Sequence, residues 1–385
     1  MQKKRFSVLH LLLCFGTGVA LTLGGCLIAG RLLLGSEGLS VLKGYLLIQE
    51  RFVEDVDAEK LADGALHGMV ESLGDRWSRY LNKDSYVNQQ ESRANSYVGI
   101  GCTVSFERAE GLLITKVQEG SGAAESGLQP GEVILSVDGA SLAGEAGEDR
   151  AIPRGEEGTR MELVVKGETG ALRTVTVLRK KVEDDPVAYD LLGGVGYIKI
   201  DDFHSRCAEE AIAAVDDLME QGAKALVFDV RGNPGGYVTQ LTELLDYLMP
   251  EGDVFISRTR SGGEQVTQSD AHRVELPMAV LCDGDSYSAA EFFAGALQEA
   301  GLATVVGEQT CGKGYSQQTF ALPSGGALSI STAAYFTGKG TSFIGIGVTP
   351  DVVVALSEED AKALAMERLD YGEDAQLQAA LALFT

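Results

Sequence analysis

The sequence predicts an α/β protein that combines an apolar N-terminal helix, a helical segment, a small β-rich domain and a mostly parallel α/β core. Three observations support this prediction: a long apolar run near the N-terminus, apolar residues at helical spacing up to about residue 95, and short apolar strands that alternate with helical stretches from about Gly196 onward. Such alternation is typical of parallel strands joined by crossover helices. We place the boundaries at residues 1–5, 6–30, 35–95, 96–181, 182–355 and 356–385, the last of these being a helical tail.

The N-terminal residues predict a membrane anchor. Residues 1–5 carry three basic side chains and precede an apolar run over residues 6–30, in which His10 is the one side chain that we expect to gain a positive charge. At about 1.5 Å per residue this run is long enough for a bilayer core of about 30 Å. Basic flanks stay in the cytoplasm. We therefore expect a single-pass protein of the cell membrane whose remaining residues are extracytoplasmic.

Two alternatives to a retained anchor stay open. Leu23-Gly24-Gly25-Cys26 resembles a lipid-attachment site, and a cleaved signal peptide would also begin with a basic and then an apolar segment. The apolar run continues through residues 27–29, beyond Cys26, and this continuation favours the uncleaved anchor.

Composition excludes some partners. The chain has 385 residues with 56 acidic and 32 basic side chains, a formal net charge of −24. This charge repels phosphate backbones, so we expect no nucleic-acid partner. The contents of apolar and charged residues, 45% and 23%, are ordinary for a globular protein.

The cysteines predict thiols and no metal site. Two of the six cysteines lie in the apolar N-terminal run, and the other four are widely scattered, which favours buried thiols over a disulfide framework. The four are Cys102, Cys207, Cys282 and Cys311. Because there is no CxxC motif and no His/Cys cluster, we expect neither a metal nor another cofactor.

The β-rich segment contains a candidate anion-binding turn. Gly99, Ile100, Gly101 and Cys102 stand just before a predicted strand, where backbone N–H groups can converge on a carboxylate. Alone, Gly-Ile-Gly is more typical of a simple tight turn. Together with the helix, turn and strand predicted at residues 122–139, this turn is also compatible with capture of the free C-terminus of a peptide.

Ser288 and Lys313 are the candidate catalytic pair. Ser288 opens a predicted helix soon after the apolar strand 278–282, and Lys313 stands between two glycines with Gln317 four residues further on. A serine hydroxyl beside a lysine amine can hydrolyse peptide bonds. Such a lysine must lose its charge near neutral pH, which requires its pKa to fall by about 3 units, or about 4 kcal/mol, through burial.

Backbone N–H groups are the candidate oxyanion donors. Ala289 follows the candidate nucleophile at the predicted helix start, where the helix dipole favours negative charge. Gly235 or Gly236 would supply the second donor from the turn that follows the strand 225–230. A Pro-Gly-Gly turn is also a common way for a strand to end.

Residues 97–181 resemble a PDZ domain, and the chain from about Val41 to Val354 resembles the carboxyl-terminal processing peptidases, also called tail-specific proteases. The resemblance is carried by several motifs in order along the chain. These are Phe52-Val53-Glu54-Asp55-Val56, Asp75-Arg76-Trp77-Ser78-Arg79-Tyr80-Leu81, Gly194-Val195-Gly196-Tyr197-Ile198, Asp229-Val230-Arg231-Gly232-Asn233-Pro234-Gly235-Gly236, Ser286-Tyr287-Ser288-Ala289-Ala290-Glu291, Gly312-Lys313-Gly314 with Gln317, and Gly347-Val348-Thr349-Pro350-Asp351.

This resemblance implies a serine endopeptidase with a crotonase- or ClpP-like core. Ser288 would be the nucleophile, Lys313 the general base, and Gln317 the residue that orients the lysine. The PDZ-like domain would bind the free C-terminal end of a protein substrate and gate the site. Arg154 matches a position that is often arginine in the family and would signal peptide binding to the core, although a simple surface charge is the alternative.

Alternative interpretations remain open. Ser286 is a competing nucleophile. Tyr287, Asp285 and Gly232 depart from the family pattern, and the first two affect the expected substrate preference. A Ser/His/Asp hydrolase would have to use a histidine such as His204, and an inactive PDZ scaffold would not use the pair at all. The helical segment and the tail would either pair in a homodimer or pack on their own core.

Overall fold

The computed structural model describes residues 8–105, 108–144, 155–167 and 169–385. The chain divides into two units, one ending at Tyr80 and the other extending from Leu81 to Thr385. The short strand β1 (Arg79–Leu81) spans the boundary. Arg154, the candidate signalling residue, lies outside the described residues.

The first unit is helical, as its apolar spacing predicts. It contains α1 (Val8–Arg51), which changes direction at Gly35 (φ +66°), and α2 (Ala58–Glu71). Asp57 begins α2 by accepting hydrogen bonds from the backbone amides of Glu59 and Lys60 at 3.0 and 3.2 Å. In the part of the chain that the structure describes, none of the helices has both the length and the apolar character required to cross a membrane. The anchor over residues 6–30 stays a prediction.

The second unit begins with a helix and a small β-rich domain. The sheet order within the described residues is β3-β4-β5-β7-β8, with antiparallel pairing throughout, and β6 pairs with β5. The elements are α3 (Lys83–Arg93), β2 (Ser96–Gly99), β3 (Cys102–Ser105), β4 (Leu112–Val117), α4 (Gly122–Glu125), β5 (Val133–Val137), β6 (Ala140–Ser141), β7 (Arg160–Lys166), β8 (Leu172–Leu178) and β9 (Lys180–Glu183). Strands β2 and β9 pair antiparallel where the chain enters and leaves this domain.

A six-stranded sheet follows, and it is mostly parallel as predicted. Its order is β10-β11-β12-β15-β16-β19 among the described residues, and β10 runs antiparallel to the rest. The elements after β9 are β10 (Val187–Leu192), β11 (Val195–Ile200), α5 (Cys207–Glu220), β12 (Ala225–Asp229), α6 (Val238–Leu248), β13 (Gly252–Thr259), β14 (Glu264–Ser269), β15 (Met278–Cys282), α7 (Ala289–Ala300), β16 (Ala303–Gly307), β17 (Tyr315–Ala321), β18 (Ala327–Thr337), β19 (Val352–Val353), α8 (Glu358–Ala365) and α9 (Ala375–Leu381), with a short 3₁₀ turn at Ala382–Phe384.

Both faces of the parallel sheet are covered. Ile198, Phe228 and Val280 are fully buried on the face that carries α5, α6 and α7, whereas their neighbours in sequence point to the opposite face. There Leu377 and Ala380 of α9 complete a second apolar cluster. In this chain, α9 therefore packs on its own core, and a homodimer stays a prediction.

A second, antiparallel sheet was not predicted from the sequence. Strand β13 pairs with both β14 and β18, and β17 pairs with β18. Strand β17 begins two residues after Lys313 and contains Gln317, so the candidate base lies in the loop that leads into this sheet.

Candidate active site

Ser288 occupies a strained corner between β15 and α7. Its backbone has φ +60° and ψ −120°, a conformation that costs a residue with a side chain about 1–3 kcal/mol. The helix that follows is buried from Ala289 to Leu297, so its start is fixed by packing. The corner therefore presents the Ser288 hydroxyl at a helix N-terminus.

Ser286 has a different environment. It is fully buried, and its Oγ donates to the Val230 carbonyl at 2.7 Å and accepts from the Asp283 amide at 3.0 Å. This hydroxyl joins the serine corner to the end of β12. Because both bonds occupy the hydroxyl, the geometry favours Ser288 over Ser286 as nucleophile.

The glycine turn after β12 packs directly against Ser288, the candidate nucleophile. A Cβ built on Gly235 (φ +88°) would lie 2.7 Å from Ser288 Cβ and 2.8 Å from the Ala289 amide nitrogen. Two of the three predicted oxyanion donors thus meet at Ser288. The Gly235 amide, however, donates to Asn233 Oδ1 at 2.8 Å in this conformation, and Gly236 packs against the backbone of Phe203.

Lys313 lies beside the serine corner and is half-buried. Its Nζ is 5.5 Å from the ring centroid of Tyr287, the residue that precedes Ser288. The Tyr335 hydroxyl donates to the Lys313 carbonyl and interacts with the side chain of Ser288. Burial raises the pKa of Tyr335, which keeps its hydroxyl protonated. Tyr335 thereby links the two candidate catalytic residues.

Glu291 holds the turn that carries Lys313. Its fully buried carboxylate accepts from the Gly312 amide at 2.6 Å and from the Thr310 hydroxyl, and its charge acts on Lys313. Burial raises the pKa of Glu291, although these hydrogen bonds and Lys313 act in the opposite direction. The sequence singled out Glu291 only as part of a motif, and the hydrogen bonds give it a structural role.

Gln317 lies on β17, and its amide donates to the Tyr315 carbonyl at 2.8 Å and to Ser331 Oγ at 3.0 Å. These bonds fix the side chain between β17 and β18. Its predicted role in orienting Lys313 stays a prediction.

Three of the histidines, His67, His204 and His272, have partners of their own. His204 Nδ1 is 3.3 Å from the Asp202 carboxylate, and the His204 ring contacts the ring of Tyr237 edge-on. The side chain of Ser288, by contrast, contacts Tyr335. His67 pairs with Glu71, and His272 stacks on Tyr247. The observation that favours the lysine over a histidine as the base is the contact of Tyr335 with both Ser288 and the Lys313 carbonyl.

The predicted peptide-binding turn joins β2 to β3. Gly101 has φ +75°, and a Cβ there would lie 2.2 Å from Ser121 Cβ, so glycine is required. Ile100 is buried in the core of the small domain, and its carbonyl accepts from the Ala123 amide at 2.7 Å. Strand β3, which begins at Cys102, stands first in the sheet order, so its outer edge is where a peptide strand would add.

Comparisons with known proteins agree with this arrangement. The model of peptidase family S41 matches residues 194–354, that of a PDZ domain matches residues 113–167, and that of the N-terminal domain of the activating protease CtpB matches residues 36–85.

The similarity extends over most of the chain. The chain is 31% identical over 328 residues to the carboxy-terminal processing protease CtpB of Bacillus subtilis (strain 168), covering 81% of this chain and 66% of the relative. It is also 31% identical over 318 residues to the carboxy-terminal-processing protease of Bartonella bacilliformis, with 80% and 72% covered. The chain thus spans about two thirds of the length of these relatives. A putative S41 protease from Bacteroides fragilis shares the fold, with a TM-score of 0.58, 18% identity, and 83% and 89% of the two chains covered.

Proposed function

The chain belongs to peptidase family S41, and we propose that it is a serine endopeptidase that cleaves protein substrates through a Ser288/Lys313 dyad. The observation that carries this proposal is the placement of Lys313 Nζ beside Tyr287, with Tyr335 in contact with both the Lys313 carbonyl and Ser288. Family membership and these contacts support the same pair.

In the proposed mechanism, neutral Lys313 removes the proton from Ser288 as its Oγ attacks the scissile carbonyl. The acyl-enzyme forms when the amine leaves with that proton, and water then releases the acyl group by the same route. Negative charge on the tetrahedral intermediate would be stabilised by the Ala289 amide and by an amide of the Gly235-Gly236 turn. In the described conformation the Gly235 amide bonds to Asn233, so its use requires this hydrogen bond to open.

The small domain is proposed to bind the free C-terminus of the substrate. Its edge strand β3 offers backbone groups for an added peptide strand, and the turn at Gly99 to Cys102 offers amides for the carboxylate. The matching PDZ model and the curated relatives named as carboxy-terminal processing proteases support this assignment. Gating of the site by peptide binding and signalling through Arg154 are part of the proposal.

The first unit is proposed to attach the enzyme to the cell membrane, with the catalytic part outside the cytoplasm. The support is the sequence itself, in which basic residues 1–5 precede the apolar run 6–30. Carbonate extraction of membranes from expressing cells tests this location. Recovery in the membrane pellet with an intact N-terminus is expected, and release into the soluble fraction would contradict it.

The catalytic proposal is tested with matched peptides that end in a free carboxylate or an amide. We expect cleavage of the free acids, slower cleavage of the amides, and covalent labelling of Ser288 by a fluorophosphonate, located by mass spectrometry. Ser288→Ala and Lys313→Ala should each lose turnover, whereas His204→Ala should keep it. Label on Ser286, or turnover that survives Lys313→Ala, would exclude the dyad. No turnover and no labelling of the intact protein would indicate a PDZ scaffold.

A further inference from the structure

A buried arginine connects the C-terminal tail to the loop that packs on Ser288. Arg231 follows β12, and its side chain is 2% exposed. A guanidinium has five N–H donors, and here all five are bonded. Nε and Nη2 donate to the two oxygens of Asp229 at 2.9 and 2.6 Å, Nη2 and Nη1 donate to those of Asp374 at 2.7 and 3.0 Å, and Nη1 also donates to Gln376 Oε1 at 3.0 Å.

Asp374 is itself fixed by the tail. Its Oδ1 accepts from the backbone amides of Gln376 and Leu377, both at 3.0 Å, and so begins α9. Leu377 is fully buried against the parallel sheet. The carboxylate that meets Arg231 therefore has a position set by the docking of α9, more than 140 residues further along the chain.

The residues on either side of Arg231 hold the serine corner. The Val230 carbonyl accepts from Ser286 Oγ at 2.7 Å, and the Asn233 carbonyl accepts from the Tyr287 amide at 3.1 Å. Gly235 then lies against Ser288 itself. A shift of Arg231 would thus move the backbone that fixes both the nucleophile and a candidate oxyanion donor.

We infer that Asp374 is a positioning residue for catalysis, acting through Arg231 on the loop from Val230 to Gly235. This inference rests on the proposed peptidase function. The tail then does more than cover the sheet: its docking sets the geometry at Ser288. Small displacements of the reacting groups lower the reaction rate strongly. Loss of the contact between Asp374 and Arg231 should therefore affect turnover more than substrate binding.

Asp374→Asn in the full-length protein tests the inference. Asparagine keeps the size of the side chain and its ability to begin a helix, but its amide group loses the charge and turns N–H donors toward Arg231. We expect kcat to fall roughly 10- to 100-fold, KM to change less than about 3-fold, and fluorophosphonate labelling of Ser288 to slow in parallel with kcat.

A control separates positioning from loss of stability. Leu218 is fully buried at the end of α5, beside Gly196 at the opposite end of the strands from Ser288. Leu218→Ala should lower the unfolding temperature while leaving kcat and the labelling rate near wild-type values. If Asp374→Asn does not fold, Gln376→Met removes one bond to Arg231, together with the bond that the Gln376 amide donates to the Val354 carbonyl, and should lower kcat by a few fold.

The outcomes distinguish this inference from the proposed function. The positioning role would be overturned if the wild type is active and the folded Asp374→Asn protein has the same kcat and the same labelling rate as the wild type. The same result in Gln376→Met, if that variant is used instead, would also overturn it. The positioning role would also be overturned if Leu218→Ala loses as much kcat as Asp374→Asn when the two variants are folded to the same fraction. A wild type that neither cleaves nor labels would remove the peptidase function itself.

Discussion

Gly235 lies so close to Ser288 that a Cβ at position 235 would be 2.7 Å from the Cβ of the serine. Contacts this short do not occur between real side chains, so the nucleophile can hold its strained corner only beside a glycine. The conformation of the corner before α7 therefore depends on the glycine in the turn after β12.

Gly235→Ala should abolish most activity, because the added methyl group would displace Ser288 or the turn. We expect kcat/KM to fall at least about 100-fold. Gly340→Ala is the matched control, since Gly340 has the same φ of +88° with nothing within 4 Å of its Cβ position. Steady-state kinetics and thermal unfolding of both variants make the comparison. If Gly235→Ala and Gly340→Ala are equally active, the close contact between Gly235 and Ser288 is not needed for catalysis.

Tyr335→Phe should lower kcat roughly tenfold, because the Lys313 carbonyl loses its donor and Ser288 loses its neighbour. Loss of this partly buried hydrogen bond should also cost about 0.5–1.5 kcal/mol of unfolding free energy. Tyr247→Phe removes a comparable bond, to Asp216, and should leave kcat unchanged. Kinetics and urea unfolding test both effects, and an unchanged kcat in Tyr335→Phe would exclude the link.

Glu291 should make folding stability depend on pH. Because burial raises its pKa in the folded state, Glu291 binds a proton more readily when folded than when unfolded. Its stabilising contribution is thus complete below the unfolded pKa and is lost as pH rises through the folded pKa. Relative to the non-titrating Glu291→Gln variant, the wild type should lose unfolding free energy as pH rises from below the unfolded pKa of Glu291 through its raised folded pKa.

Urea unfolding of the wild type and Glu291→Gln across that pH interval measures the effect, at about 1.4 kcal/mol for each unit of pKa shift. Stability curves that stay parallel would show that Glu291 keeps the same proton affinity in both states. A lower kcat in Glu291→Gln would show in addition that the carboxylate positions the turn that carries Lys313.

Gly101→Ala should weaken binding of peptides with a free C-terminus. The methyl group would meet Ser121 Cβ at 2.2 Å and open the turn before β3. Gly139→Ala, in the same domain at a similar φ of +82° but in open space, should bind normally. Fluorescence polarisation in a Ser288→Ala background should show at least about tenfold weaker binding for Gly101→Ala alone. Equal affinities would place the peptide elsewhere.

The cysteines should differ in reactivity. The structure holds Cys102, Cys207, Cys282 and Cys311 as thiols, as expected from their spacing, but only Cys207 and Cys282 are buried as predicted. Burial raises the pKa of Cys102 to about 12 and raises the pKa of Cys207 and Cys282, both of which are fully buried. With iodoacetamide at about pH 8, Cys207 and Cys282 should react only after unfolding. Peptide mapping by mass spectrometry checks this, and rapid native alkylation of either would contradict the packing.

The sequence by itself determined the order of the elements and the identity of the candidate pair. Apolar spacing is a local property, so it predicted the helical first unit, the small β-rich domain and the parallel sheet. Motifs with fixed spacing also marked Ser288 and Lys313. The antiparallel sheet that carries Gln317 was missed, because β17 alternates little between buried and exposed residues and has no strong apolar face.

Only the tertiary structure decided which groups meet. In the folded chain the Ser286 hydroxyl donates to the Val230 carbonyl and the Gly235 amide donates to the Asn233 side chain. Asp374 also accepts a hydrogen bond from Arg231. No local pattern encodes such contacts, because hydrogen bonds and ion pairs between distant segments depend on how the sheet and its helices pack. The sequence thus indicates the candidate catalytic residues, and the fold sets their geometry.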